Sequence, residues 1–400
     1  MSTITVNDLE LPVYDPDGLD RAGRLAALAV AQSQHWLART PLGFAVTRYA
    51  DVVALLRERR FHSALSLLPQ MQGIEDASIE LRRPSILSME GAEHTRVRRL
   101  VAPAFTPAAA NRLRPFMRDV IGELIDAVVD RGECDFVADV CDPYPIPIIC
   151  ELLGAPREDW QRFSRWATEI FRIFNQNLAE DLPAIEQAGG ELEAYVTDLV
   201  TERRADPRDD LLSALIAAEE EGDRLSTEEL VMLAEAVLMA GTDTTRNQLA
   251  CAVALLGAHP DQWRRLVADP TLAPRAVDET MRYLGAVQGT VRVASEDVAY
   301  RDVVFPQGTL LFLSLSTGNR DPEVFEIPDA VDIGRESTAP HLTFGSGIHY
   351  CLGAHLARGE LQEALTVLAT RLPDLELAGP VEWKPENFGI WGPARLPVRW

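Results

Sequence analysis

The segment Phe344-Gly345-Ser346-Gly347-Ile348-His349-Tyr350-Cys351-Leu352-Gly353 sets one cysteine in a glycine-rich loop, and an apolar-periodic helix follows from Ala354. Backbone N–H groups without intrahelical partners and the positive end of the helix dipole favour a thiolate at such a place. Gly345, Gly347 and Gly353 let the backbone turn tightly and a flat ligand come close. Such a thiolate could ligate iron; the plainer alternative is a buried cysteine in a tight turn. A second chemically suggestive segment is Ala240-Gly241-Thr242-Asp243-Thr244-Thr245, set between the apolar run Val237-Leu238-Met239 and another from Leu249. Glycine, threonine and aspartate are poor residues for a helix interior, and their presence there points to function or distortion. Gly241 would admit a ligand against the backbone, and the Thr244 hydroxyl beside the Asp243 carboxylate could deliver protons to it. A polar stripe on an amphipathic helix explains the same hexapeptide equally well.

Two charged pairs complete the inventory. Glu279 and Arg282 are three apart in a helical segment and share a face, where they can pair; most such pairs decorate surfaces. His94 and Arg98 are four apart and could together hold an anionic group such as a carboxylate. A solvated charged face is the alternative there.

Long elements must position these groups. Ser226-Thr227-Glu228-Glu229 reads as a capping box that opens a helix, and Gly257, His259 and Pro260 close it. That helix should span about 45 Å at 1.5 Å per residue, enough to cross the protein. Helical patterns dominate from about residue 94 to 284, a mixed region with Phe44 to Val46 as strand and Tyr49 to Arg57 as helix precedes them, and a strand-rich region follows. Between Phe61 and Glu93 the periodicity is weak, as in functional loops. With no internal repeat and no low-complexity linker, a single domain over 1–400 is expected.

Composition excludes several roles. A formal net charge of −23 argues against wrapping nucleic acid or lying on an anionic membrane. The first residues carry no basic flank followed by an apolar run, and the early patch from Leu25 to Ala31 is too short to span a bilayer, so a cytoplasmic, unanchored protein is expected. Cys134, Cys141, Cys150, Cys251 and Cys351 include no pair at Cys-x-x-Cys spacing. Neither a disulfide framework nor a cysteine-rich metal site is supported, and Cys150 and Cys251 read as core fillers.

Taken in order, these constellations resemble the cytochrome P450 family in its soluble bacterial form, over nearly the whole chain. Phe344, Gly345, Gly347, His349, Cys351, Gly353, Leu356, Ala357 and Arg358 match the family's haem-binding signature. The hexapeptide from Ala240 looks like its oxygen-activation motif, Glu279 and Arg282 match its Glu-x-x-Arg pair, and Asn319-Arg320-Asp321-Pro322 leading to Arg335 matches the network that closes on that pair.

The resemblance implies a mainly α fold with smaller β-sheets (α+β). Haem b would lie between the long central helix and the helix after the cysteine loop, with Cys351 as iron ligand. Phe344, Gly345 and Gly353 would shape the loop around it, and Ala240 and Gly241 would lie against the haem. Cationic partners for the propionates map onto His94, Arg98, Arg292 and His349. Asp243 and Thr244 correspond to the family's proton-delivering acid and alcohol, and Glu279, Arg282 and Arg335 to structural residues. The implied reaction inserts one oxygen atom of O2 into a C–H bond of an apolar small molecule such as a fatty acid, terpenoid, steroid or polyketide. The chain ends at Trp400 without a flavin or iron–sulfur module, so electrons from NAD(P)H are expected through a ferredoxin or flavodoxin and its reductase. Arg96, Arg99, Arg112 and Arg118 are candidates to dock the electron carrier. Peroxide-driven chemistry, desaturation or ring coupling, and a non-catalytic haem sensor stand as alternatives. The intact Asp243-Thr244 pair favours catalysis. Two segments depart from the family pattern: Glu90-Gly91-Ala92-Glu93 replaces the usual Asp-Pro-Pro stretch, and Leu284 to Thr290 lacks a proline near Ala286. Asn175, Asn177, Gln288 and Thr290 are candidate polar contacts to substrate.

Overall fold

The computed structural model describes residues 4–71, 74, 85–174, 177–220, 225–336, 339–385 and 389–400. Asn175 and much of the weakly periodic segment before Glu93 lie outside them. The longer helices, in chain order, are α1 (Arg21–Gln34), α2 (Tyr49–Arg57), α3 (Gly91–Val101), α4 (Pro107–Asp126), α5 (Pro145–Leu153) and α6 (Trp160–Ile170). They continue as α7 (Leu178–Ala205), α8 (Leu211–Glu220), α9 (Thr227–Ala258), α10 (Pro260–Ala268), α11 (Ala273–Tyr283) and α12 (Ala354–Arg371). The strands are short: β1 (Ile4–Thr5), β2 (Leu37–Thr40), β3 (Gly43–Val46), β4 (Phe61–Ser63), β5 (Glu133–Asp135), β6 (Gly289–Ala294) and β7 (Val298–Tyr300). They end with β8 (Val303–Phe305), β9 (Leu310–Ser314), β10 (Glu376–Leu377), β11 (Glu382–Trp383), β12 (Pro393–Arg395) and β13 (Pro397–Arg399).

The central helix α9 forms as its sequence dictates. Ser226 accepts from the Glu229 N–H while the Glu229 carboxylate accepts from the Ser226 N–H, closing the capping box. Glu229 has a second task, since Arg96 of α3 pairs with the same carboxylate. Arg96 is thereby committed to joining two helices and is a poor docking candidate, whereas Arg99 and Arg112 are exposed. Every residue from Thr245 to Leu256 is buried, as expected of a helix surrounded by protein on all sides. The helix runs unbroken through its hexapeptide, with the Thr242 and Thr244 hydroxyls donating back to the Leu238 and Ala240 carbonyls, at 2.6 and 2.8 Å.

α5, α6, α7 and α12 pack against α9, and α12 also packs along α4. The largest core cluster fills the space between these helices and includes Met117, Ile121, Ile148, Leu249, Leu361 and Leu365. A five-stranded sheet in the order β2-β3-β9-β6-β4 joins the first part of the chain to residues 289–314. In it Ser63 pairs with Arg292, which fixes the arginine on a rigid strand. Among the described residues no helix is long and apolar enough to cross a membrane.

Candidate active site

The cysteine loop is shaped by backbone conformations only glycine adopts freely. Gly345 and Gly347 have φ of +70° and +73°, and a Cβ on Gly347 would run into the Leu56 carbonyl of α2. On Gly345 and Gly353, by contrast, a Cβ would meet nothing within 4 Å, so these glycines edge an open cradle. The Cys351 N–H donates to the Phe344 carbonyl at 2.9 Å, closing the loop onto a residue whose ring is buried. The Arg358 guanidinium caps that ring at 4.5 Å and donates to Asp278 at 3.0 Å. Burial pushes the Cys351 thiol up, against the downward pull of the Gly353 N–H, Arg98 and Arg358. The helix start therefore does not ionise this cysteine by itself, contrary to the expectation from its place before α12: desolvation outweighs the dipole. A metal cation held by Cys351 would supply the missing charge, because coordination displaces a thiol proton.

The loop is suspended from a buried ionic network. Arg282 donates to both Glu279 oxygens at 2.8 and 2.9 Å, and also to the carbonyls of Asn319, Pro328 and Ala330. Arg335 donates to the same carboxylate at 3.1 and 3.2 Å. Asn319 accepts from the Leu342 N–H and donates to the Thr343 hydroxyl at 3.1 Å, so the network ends at the residue before Phe344. This pair is no surface decoration: the Glu279 and Arg282 side chains are each 2 % exposed.

Across from the loop, α9 offers few openings. Ala240 is exposed and Thr244 half-buried in the middle of an otherwise enclosed helix, marking its ligand-facing side. Gly241 differs from the sequence expectation, because a Cβ there would collide with Ile149 of α5. The glycine lets two helices approach, and the space beside it is occupied by protein rather than open to a ligand. Asp243 is buried and turned away from the opening: Arg246 donates to its carboxylate through Nε at 2.7 Å and through Nη2. The segment lacking the family's proline is clamped by α9 instead. Gln248 donates to the Leu284 carbonyl at 3.3 Å and accepts from the Ala286 N–H at 2.8 Å, which orients Ala286 to Val291.

Sequence reasoning missed Glu360. Thr245 of α9 donates to its carboxyl at 3.1 Å, while its Oε1 is buried without a partner among the described residues. Burial pushes it up to about 8, so it is neutral at pH 7. A glutamate on the apolar face of α12, nine residues past Cys351, was the available signal. The folded state holds this proton to about pH 8 whereas an unfolded glutamate loses it near 4.5, so stability falls as pH rises between those values. From pH 6.5 to 8 the loss should be ~2 kcal/mol. Urea unfolding midpoints across that range should decline in the wild type and stay flat in Glu360→Gln. Equal declines would assign the pH dependence to another group.

On the remaining side, the His94 ring of α3 packs tilted against that of His349, centroids 4.6 Å apart, and His349 pairs with Glu90 at 3.0 Å. Glu90 also accepts from the Ser63 N–H at 2.6 Å, and although burial raises it, His349 and that N–H leave it lowered. The acidic residue that departs from the family pattern thus engages one expected propionate partner. His94 departs as well. Burial, with His349 and Arg98 nearby, pushes it down to about 4, so the ring by itself is neutral at pH 7. Its Nε2 is buried with no partner among the described residues. Arg292 is buried on β6, where it donates to the Thr290 hydroxyl at 2.8 Å, and Arg98 donates to the Tyr350 carbonyl at 2.5 Å. An orphaned ring nitrogen, two arginines, an open glycine cradle and a sulfur ligand together fit a haem with two carboxylates. Cys351 would hold its iron, with His94, Arg98 and Arg292 at its acidic edge. Bound there, it would supply the activation of O2.

Comparison with known proteins gives the same picture. A family model described as Cytochrome P450 matches residues 63–372. The chain is 40% identical over 399 residues to the Mycinamicin IV hydroxylase/epoxidase of Micromonospora griseorubida, covering 97% of this chain and 98% of that protein. It is 38% identical over 375 residues to the Luteothin monooxygenase of Streptomyces thioluteus, covering 93% and 92%. Its fold superposes on the crystal structure of CalO2 with a TM-score of 0.90 at 30% identity, covering 98% and 99%.

Proposed function

The chain belongs to the cytochrome P450 family, and on that premise we propose that it inserts one oxygen atom of O2 into an apolar small molecule, with Asp243 and Thr244 delivering protons. It is a haem-thiolate monooxygenase that uses haem b and draws electrons from NAD(P)H through redox partners. A single cytoplasmic domain served by a ferredoxin-type carrier is the reading we adopt. Exposed Arg99 and Arg112 support it, being basic positions on a strongly acidic chain that an acidic carrier could recognise.

The observation that carries catalysis rather than passive binding is the state of Thr244. Its hydroxyl lies on the only side of α9 where, among the described residues near the hexapeptide, an alanine is left exposed. At rest it donates to the Ala240 carbonyl at 2.8 Å, which leaves its lone pairs free to accept. A proton brought by Asp243 can pass to this oxygen once the hydroxyl turns from the Ala240 carbonyl and gives its own proton forward. Asp243 must first leave Arg246, and Arg246 can then rely on Asp142, 3.6 Å away on its other side. A ligand-binding haem protein has no use for such an exchange.

For substrate, the mainly apolar segments 286–291 and 170–174 support an apolar or amphipathic compound oriented by Gln288 or Asn177. A panel of fatty acids, terpenoids, steroids and polyketides, screened for the low- to high-spin shift of the haem spectrum, identifies the class. With any responding compound, Thr244→Ala is expected to lower product formation by about 10²-fold. NAD(P)H oxidation should continue, with electrons leaving as hydrogen peroxide. Fully coupled product formation by this variant would remove Thr244 from proton delivery.

A further inference from the structure

Lys384 is the only lysine in the chain, and the other 37 basic side chains are arginines. Lysines normally extend into solvent, but this one is half-buried and its Nζ donates to the Asn247 side chain of α9 at 2.8 Å. The backbone around it is fixed. The Lys384 N–H donates to the Gly392 carbonyl at 3.0 Å, the Trp391 ring N–H donates to the Lys384 carbonyl at 2.9 Å, and Trp383 stacks on Trp391 at 4.4 Å. A Cβ on Gly392 would lie 2.7 Å from the Asn247 side-chain oxygen, so only glycine lets this hairpin close onto α9.

Asn247 in turn donates to the Asp243 carbonyl at 2.8 Å, one turn back along α9. Lys384 therefore faces a compact set of charges: Asp243 and Arg246 on α9, and Asp142 beyond Arg246. The set holds two carboxylates, one guanidinium and one ammonium, and balances to zero when all are ionised. The neighbouring Cys251 thiol is pushed by burial up to about 12 and stays neutral. On its other side Lys384 lines a cleft of about 850 Å³ between α1 and the hairpin, whose rim residues Asp20 and Trp383 are exposed. The charges across that cleft are of both signs: Asp20, the N-cap of α1, Arg21 in its first turn, and Arg320 paired with Asp329 at 2.9 Å. Lys384 thus stands between the cleft and the far side of Asp243.

An arginine in that place would hold its proton permanently, whereas a lysine can release one. We propose that Lys384 supplies the proton with which Asp243 recharges Thr244. One proton leaves the ammonium for the Asp243 carboxylate, on the inner side of Lys384, and converts it to the acid; the amine then takes a proton from solvent in the cleft on its outer side, and no electrons move. Burial pulls the lysine below its ordinary range while Asp243 and Asp142 hold it up and Arg246 pulls it down, which brings ammonium and carboxylic acid closer in proton affinity. Lys384 touches neither substrate nor haem, so it is a positioning residue acting through Asp243. This assignment rests on the proton-delivery reading of Asp243 and Thr244.

A single lysine makes the test direct, because isotope-labelled lysine gives one side-chain signal. In the reduced, carbon-monoxide-bound holoprotein, which is diamagnetic, that signal should titrate below the ordinary lysine value, and lower still in Asp243→Asn. Titration at the ordinary value, or no response to Asp243→Asn, overturns the proposal. On the turnover side, with a panel compound that gives the spin shift, Lys384→Arg keeps the charge but cannot release a proton. It should lower product per O2 consumed about tenfold, less than loss of a directly acting acid, with an unchanged carbonyl spectrum. Lys384→Met leaves the carboxylates with a net negative charge that raises their proton affinity, so it should stay coupled at acid pH and uncouple as pH rises. Wild-type coupling in Lys384→Arg, with Lys384→Met impaired at every pH, makes the residue a mere tether and overturns the proposal. A coupled Thr244→Ala alongside the expected lysine titration would instead locate the failure in the role of Thr244.

Discussion

Replacing Cys351 by alanine is expected to remove the thiolate-type carbonyl band entirely and to take oxygenation with it. The Cys351 sulfur is the soft ligand that the loop edged by Gly345 and Gly353 offers. Cys134 lies on β5, Cys141 and Cys150 sit in the main helical core, and Cys251 lies in a separate buried cluster on α9, none of them in the cysteine loop. None can substitute. The acidic-edge contacts at His94, Arg98 and Arg292 survive the substitution, so some haem should still copurify, with a carbonyl spectrum of the kind given by a neutral ligand. Haem content per chain and the reduced carbonyl spectrum, measured together, separate loss of the ligand from loss of the fold. A thiolate-type band in Cys351→Ala would assign the ligand to another cysteine.

The second large effect is expected at Glu279, far from any reacting atom. Its carboxylate accepts from Arg282 and Arg335 and also from the Asp332 N–H at 2.9 Å. Glu279→Ala would leave two guanidiniums facing each other with their carboxylate gone, in a site where one of them is almost fully buried. Breaking a buried pair from one side typically costs about 3–5 kcal/mol. Because Asn319 passes the strain to Leu342 and Thr343, the cysteine loop should loosen before the helical core does. Urea unfolding should show the lowered midpoint, and haem should dissociate at denaturant concentrations that leave helical circular dichroism intact. A variant that loses helix and haem together would mean that the network supports the whole fold rather than the loop.

Legibility in the sequence followed the range of the interactions concerned. The ends of α9 were readable because a capping box is local, four consecutive residues satisfying one another's backbone groups. The cysteine loop was readable because two of its glycines take left-handed conformations that other residues resist. Groups defined by distant partners were not. Gly241 looks like a ligand notch until Ile149, nearly a hundred residues earlier, is found filling it. Arg96 looks like part of a basic face until Glu229 claims it. The charge of His94 depended on burial and on His349, far along the chain, which no spacing rule reveals. Lys384 was visible as a lone lysine in the composition, but its meaning required Gly392 to bring the hairpin against Asn247.

The most direct measurement is the carbonyl spectrum of the reduced wild-type chain, purified from cells supplied with haem and recorded beside Cys351→Ala. A thiolate-type band in the wild type that is absent from the variant is the predicted result. A wild-type band of the neutral-ligand type, or a chain that folds without taking up haem, would contradict Cys351 as the ligand and the monooxygenase chemistry that depends on it.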